Sequence, residues 1–418
     1  MQSTKGNPMK VQILKKPLVL MAALLVIAAL AVACSSEPTI VEKEVPVEII
    51  KEVVVEVEKE VVVEVEKEVV REVMVPGETV VVEKEVQKVI EIEKPIVVEV
   101  EVAPPPGPKG TIVFSDLNWA SAQVQNRIAQ YIVEEGYGYP TDVVFGSTLP
   151  LFQGLRRGDS HVTMEIWLPN QDEAWMEAQS MGEVVSVGES LGKDWQSAFV
   201  IPTYLQQQYP DLDSVDDLKD DQYKMLFETA ETGGKARLVS CVIGWACEEV
   251  NAAQITGYGL DDHVHIVNPG DGAAANADLY GAYEKQEPWL GYQWGTNDPA
   301  LVLDLVRLEE PAYTDECWFT TKACAYEDAT ILIAVHPDIL AKAPDVVQML
   351  RAWDFNIGVY KEVAAWMADN EGATTHDAAL WWLNSNQGMW SDWVTGEAAA
   401  SINAALSSNK IPDGWPDE

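Results

Sequence analysis

The sequence predicts an α/β domain built as two lobes, and three observations predict it. The aromatic residues are segregated: positions 1–109 hold no Phe, Trp or Tyr, and all 15 Trp, 13 Tyr and 7 Phe lie from Phe114 onward. In that aromatic part, short apolar runs alternate with segments whose apolar residues recur at helical spacing, the rhythm of a sheet with crossover helices. The part left after residue 109 of 418 is also large for a single core, so two lobes are expected.

The N-terminus reads as an export signal. Lys10, Lys15 and Lys16 form a basic stretch ahead of an apolar run, Pro17 to Val32, that is short for a membrane span. It ends Leu30-Ala31-Val32-Ala33-Cys34, and small residues before a Cys resemble a bacterial lipoprotein processing site. Residues 1–33 are therefore expected to be a lipoprotein signal peptide. Cys34 is then the lipidated first residue, which anchors the chain to the cell membrane on its extracytoplasmic face.

Residues 34–109 read as a stalk and linker. The octad Lys51-Glu-Val-Val-Val-Glu-Val-Glu58 recurs over Lys59–Glu66 and restarts at Lys67. Alternation of Val with charged residues favours an extended chain, and without aromatics it has nothing to pack on. Pro104-Pro105-Pro106-Gly107-Pro108 then makes a stiff connection. An adhesive or oligomerising stalk is the alternative reading.

From residue 110 the elements follow in order. Thr111–Phe114 is an apolar strand. Val124, Ile128, Tyr131 and Ile132 give a helix over 121–135, broken by Gly136-Tyr-Gly-Tyr-Pro140. Val143–Phe145 is the next strand, Leu149–Leu155 a helix, and Val162–Trp167 a strand after the turn Gly158-Asp159. The rhythm returns at Leu238–Ile243, Val264–Val267 and Ile331–Val335, and 375–408 reads as terminal helices. The first lobe is expected over about 110–205 and 325–418, the second over about 206–324.

Charge and motifs exclude several functions. With 28 Lys+Arg against 67 Asp+Glu, the net charge of -39 argues against nucleic acid, which needs a basic surface. There is no H-E-x-x-H or Walker loop, and nothing pairs a nucleophile with a base. No enzyme activity, cofactor or metal is expected; His263 and His265 alone lack further ligands. Setting Cys34 aside, four Cys remain as near neighbours, Cys241 with Cys247 and Cys317 with Cys324. In an exported protein this suggests two small-loop disulfides.

Tryptophan is the chemical signal. Trp119, Trp167, Trp245 and Trp294 sit where strands end or loops begin, beside Gly and Pro. Trp faces attract quaternary ammonium groups, at about 2 kcal/mol each when desolvated. Three faces then supply about 6 kcal/mol, short of the about 8 kcal/mol that micromolar binding needs, so hydrogen bonds to an anionic end of the ligand are expected as well. Sugars also stack on Trp and are the alternative ligand. Trp353, Trp366, Trp381, Trp382, Trp390 and Trp393 lie in helical stretches and read as core.

Several stretches taken together resemble the substrate-binding proteins of glycine betaine/proline-type ABC importers. They are Gln123–Gly138, Gly146-Ser-Thr-Leu-Pro150, Gly154–Asp159, Glu165-Ile-Trp-Leu-Pro-Asn170, Val200–Tyr204, Cys241-x-x-Gly-Trp-x-Cys247, Tyr283–Trp289 and Gly291-Tyr-Gln-Trp294. The resemblance covers 110–408. It implies the type II periplasmic-binding-protein fold with a hinge between its lobes. It also implies a box of Trp167, Trp245 and Trp294 around a trimethylammonium group, with the backbone N–H groups of Ala246 and Cys247 on the ligand's carboxylate. A Cys241–Cys247 disulfide, known in some members, would stiffen that loop, and the N-terminus of a helix over Glu248–Ile255 suits an anion. Trp119, Tyr204 and Tyr292 are candidate further walls. Where the family often carries His after its first box Trp, this chain has Asn170 and Gln171, so the cage is kept and the anion side is altered.

The implied function is capture of a quaternary-ammonium solute (glycine betaine, proline betaine, choline or carnitine class) by lobe closure, and delivery to an ABC permease with its ATPase. A ligand-sensing receptor on the same fold, or a binder of another zwitterion or a sugar, is the alternative.

Overall fold

The computed structural model describes residues 109–192 and 197–417. The expected signal peptide, Cys34, and the expected stalk and linker up to residue 108 lie outside the described residues. Among the described residues no helix is long and apolar enough to cross a membrane.

The strands form two five-stranded mixed sheets. The first holds β1 (Ile112–Leu117), β2 (Thr141–Gly146), β3 (Val162–Leu168), β4 (Val185–Glu189) and β10 (Thr330–Val335). Its order is β2-β1-β3-β10-β4, with β1 parallel to β2 and β3, and β10 antiparallel to β3 and β4. The second holds β5 (Ala198–Pro202), β6 (Ala236–Val239), β7 (Val264–Val267), β8 (Gly291–Gln293) and β9 (Leu305–Arg307). Its order is β7-β6-β8-β5-β9, with β6 parallel to β7 and β8, and β5 antiparallel to β8 and β9. The two sheets repeat one pattern, and in each the antiparallel strand is the one reached by crossing from the other lobe.

The lobe boundary expected at 205 is corrected by this pairing. β5 hydrogen-bonds β8 and β9, so 198–205 belongs with the second sheet. Ala-Phe-Val-Ile-Pro is buried at every position and reads as a central strand of either sheet. Its sequence carries nothing that selects the partner.

The first lobe is tied together by helices on its sheet. The helix Ala120–Tyr131 continues as a wider π-turn over Ile132–Gly136, close to the 121–135 expected, and Val124, Ile128, Tyr131 and Ile132 are all buried. Arg127 on that helix makes a buried ion pair with Asp116 of β1, at 2.7 Å, fixing helix to strand. The terminal helices Thr375–Ser385 and Gly396–Ser407 pack here too. Trp353, Trp382 and Trp393 stack on one another at 4.5 and 5.6 Å, and with Trp390 they are buried as core. Trp366 and Trp381 are half-buried and stack on each other at 5.0 Å.

Both cysteine pairs are disulfide-bonded, Cys241–Cys247 and Cys317–Cys324.

Candidate ligand-binding site

The C-terminal ends of strands from both sheets meet at a small cavity. The first lobe contributes Trp119 just after β1, Thr148 after β2, and Trp167, Asn170 and Gln171 at the end of β3. The second contributes Trp245, Ala246 and Cys247 after β6, and Tyr292 and Trp294 at β8. The three Trp expected to form a box therefore all face one cavity, with Trp119 and Tyr292 as further walls.

The rings form a continuous aromatic wall. Trp245 meets Trp119 edge-on at 5.3 Å and 73°, and Trp294 at 5.3 Å and 87°. Tyr292 stacks on Trp294 at 5.9 Å. Such edge-to-face contacts are favourable between ring quadrupoles. The Tyr292 hydroxyl donates to Ser197 Oγ at 2.9 Å, and burial pushes its pKa up to about 12, so it stays neutral.

Two of the indoles are held from behind by one carboxyl group. Glu165 Oε2 accepts from Trp119 Nε1 at 2.8 Å and from Trp167 Nε1 at 2.9 Å. Its Oε1 accepts from Gln125 Nε2 at 2.9 Å. Glu165 and Trp167 are two apart in β3 and so share a face, which is why one residue can anchor the other. Burial pushes the Glu165 carboxyl above the usual range, and the bonds from the two indoles pull it back.

The third indole is held across the cleft. Trp245 Nε1 donates to Asn118 Oδ1 of the first lobe at 2.6 Å. Beside it, Leu149 N donates to Gly244 O at 3.1 Å, a backbone bond between lobes. Gly244 has φ +89°, and a Cβ there would stand 2.6 Å from Ser147 Oγ. Only glycine permits this approach. Tyr360 of the first lobe also donates to Asp298 of the second at 3.1 Å. The cleft is closed, and closure is what brings Trp119 and Trp245 together.

The polar side of the cavity has unspent capacity. Gln171 is buried, and neither its Nε2 nor its Oε1 has a hydrogen-bond partner. A buried amide left unpaired costs about 1–3 kcal/mol, so a ligand that pairs it gains correspondingly. The helix Ala246–Gly257 begins two residues before the 248 expected, with Trp245 as its N-cap residue and no side-chain cap bond. Its first-turn N–H groups have no intrahelical acceptor and carry the positive end of the helix dipole. Ala246 and Cys247, in that turn, line the cavity. The Cys241–Cys247 disulfide closes the loop that carries Trp245 between them.

Tyr204 does not join the site. It lies in the helix Thr203–Gln208, stacks on Tyr283 at 5.3 Å, and donates to Glu287 O at 2.6 Å. It packs a helix against the second lobe, and the expectation that it lines the cavity is corrected. Sequence reasoning passed over Glu165, Asn118 and Thr148. Glu165 had left a signal, a lone acid in the strand Val-Thr-Met-Glu-Ile-Trp-Leu. Asn118 had left none, since its partner is 127 residues away.

Known proteins resemble this chain in sequence and in fold. The family described as the substrate binding domain of the ABC-type glycine betaine transport system matches residues 110–385. The glycine betaine-binding periplasmic protein OusX of Dickeya dadantii is 29% identical over 143 residues, a match covering 34% of this chain and 42% of that protein. A trimethylamine N-oxide-binding protein of Pelagibacter ubique is 22% identical over 293 residues, covering 68% of this chain and 91% of that protein. In three dimensions, an ABC-transporter choline binding protein in complex with choline aligns with a TM-score of 0.59 at 19% identity. That alignment covers 72% of this chain and 99% of the other. The fold is thus the two-lobed α/β fold of type II periplasmic binding proteins, and this chain belongs to the family of substrate-binding domains of ABC-type glycine betaine transport systems.

Proposed function

We propose that this protein captures a small quaternary-ammonium solute between its lobes and hands it to a membrane permease driven by an ATPase inside the cell. The observation that carries this reading is the aromatic cavity itself: four indoles and a neutral phenol line it, with one unpaired amide at its side. Faces of Trp119, Trp167, Trp245 and Trp294 suit a cation that cannot donate hydrogen bonds. Gln171, with the N–H groups of Ala246 and Cys247, suits the carboxylate or oxygen at the other end of such a ligand. Because the cage draws on both lobes, the ligand binds the closed form best and shifts the molecule toward it. The closed form is then the one the permease receives. Anchoring through a lipid on Cys34, with the stalk as spacer, fits a receptor of this kind that works at a membrane surface.

The test is calorimetric titration of the oxidised protein with glycine betaine, choline, carnitine, proline betaine, trimethylamine N-oxide and, as a control, maltose. At least one methylated ammonium compound is expected to bind at micromolar concentration or below, and maltose is not. Binding of the sugar alone would replace the cation reading with a stacking one.

A further inference from the structure

Glu165 is buried in β3 between Met164 and Ile166, and three donors point at it. None of the three can turn away. An indole N–H has only its hydrogen to give. The Gln125 amide is fixed in orientation, because its Oε1 accepts from Ser190 Oγ at 2.6 Å and from Trp353 Nε1 at 3.0 Å. The ionised carboxylate, an acceptor on both oxygens, satisfies all three, although burial raises its pKa. These donors are all neutral, and among the described residues no Lys, Arg or His forms an ion pair with Glu165. A buried charge without a counter-ion is costly. The two rings bonded to it, Trp119 and Trp167, are walls of the cavity.

We propose that Glu165 is a positioning residue whose carboxylate locks the indoles of Trp119 and Trp167 into the cage and supplies, from behind them, the counter-charge to a cationic ligand. This rests on reading the cavity as a cation site. An indole that donates its N–H to an anion holds more electron density in its ring, and its face attracts a cation more strongly. The field of the carboxylate, which is buried behind the two rings, also reaches the cavity. The ligand class selected is then a permanently charged methylated ammonium, favoured over an uncharged molecule of the same shape.

The experiment compares choline with 3,3-dimethylbutan-1-ol, in which carbon replaces the charged nitrogen, on the wild-type protein and on Glu165→Gln. The substitution is expected to weaken choline about tenfold or more while changing the neutral alcohol by less than about twofold. An equal loss for both ligands would reduce Glu165 to packing and overturn the proposal, as would no loss for either. Should the variant fail to fold, the unliganded wild-type protein decides the matter by its indole 15N–1H resonances, assigned through Trp119→Phe and Trp167→Phe. Both N–H signals are expected downfield, as for donors to a carboxylate; neither displaced means no charged anchor. If wild-type protein binds no choline, glycine betaine and its carbon isostere 3,3-dimethylbutanoate take the places of the two ligands, and the two resonances still establish or refute the anchoring role.

Discussion

At the scale of single residues, the site divides into rings that hold charge and amides that hold orientation. Gln171 is the residue whose role is most exposed to test, because its buried amide has no partner within the protein. Gln171→Ala is expected to weaken glycine betaine by about tenfold to 100-fold, from the loss of one hydrogen bond to a charged group, at about 1.5–3 kcal/mol. Choline, which lacks a carboxylate, should lose less. Parallel calorimetric titrations of the two ligands check this. Asn118 acts differently, since it bonds Trp245 across the cleft and does not itself line the cavity. Asn118→Ala is expected to cost about 1 kcal/mol of closure and to appear as a faster ligand off-rate in stopped-flow tryptophan fluorescence. Trp119, Trp167, Trp245 and Trp294 were legible as ligand-facing because Trp beside Gly and Pro at strand ends is chemically specific, and the choice of three of them as a box came from the resemblance to the family. The sequence did not make Asn118 or Glu165 legible as parts of the site. Each acts through an indole, and whether a polar side chain reaches one is settled only by folding.

At the scale of elements, most strands and helices announce themselves by periodicity, and the failures have physical causes. β8 and β9 are three residues long, too short for alternation to register. β5 is legible as a strand but not as a member of a particular sheet, because a strand buried on both faces suits the middle of either. Tyr204 follows from the same ambiguity. Placing β5 in the second sheet carries the next helix away from the cleft, and Tyr204 packs on Tyr283. The loop Cys241–Cys247 joins element to function, since its disulfide encloses Trp245 and ends in the first turn of the helix Ala246–Gly257. Removing this disulfide as Cys241→Ala/Cys247→Ala is expected to cost about 2 kcal/mol of stability and to weaken ligand binding as well. Removing Cys317–Cys324, whose residues do not line the cavity, should cost stability but leave affinity within about twofold. Thermal unfolding and titration of the two variants side by side separate these outcomes.

At the scale of the whole molecule, two lobes share one closed cleft, and the buried acids set its response to pH. Glu310 lies in the second lobe and accepts a hydrogen bond from Tyr258 at 2.9 Å, while burial raises its pKa from 4.5 to about 7. The folded state therefore holds a proton that the unfolded chain releases. Its stability contribution is complete below about pH 4.5 and is lost as pH rises through about 7. Glu310→Gln, which cannot ionise, should flatten the fall in melting temperature between those values and raise stability at pH 8. An unchanged slope in the variant would assign the pH response to other groups, such as Asp172, whose pKa burial raises to about 6. The acidic surface acts at longer range. With a net charge of -39 the chain attracts cations before contact, so association of a cationic ligand should slow as salt rises.

All three scales meet at Trp245, which lies in the disulfide loop, bonds across the cleft, and touches both Trp119 and Trp294. The direct test of the cage is titration of wild-type protein and Trp245→Ala with the same quaternary-ammonium ligand. Loss of one desolvated cation–π face, at about 2 kcal/mol, predicts a fall in affinity of at least about 30-fold. Equal affinities for the two proteins would contradict the cage.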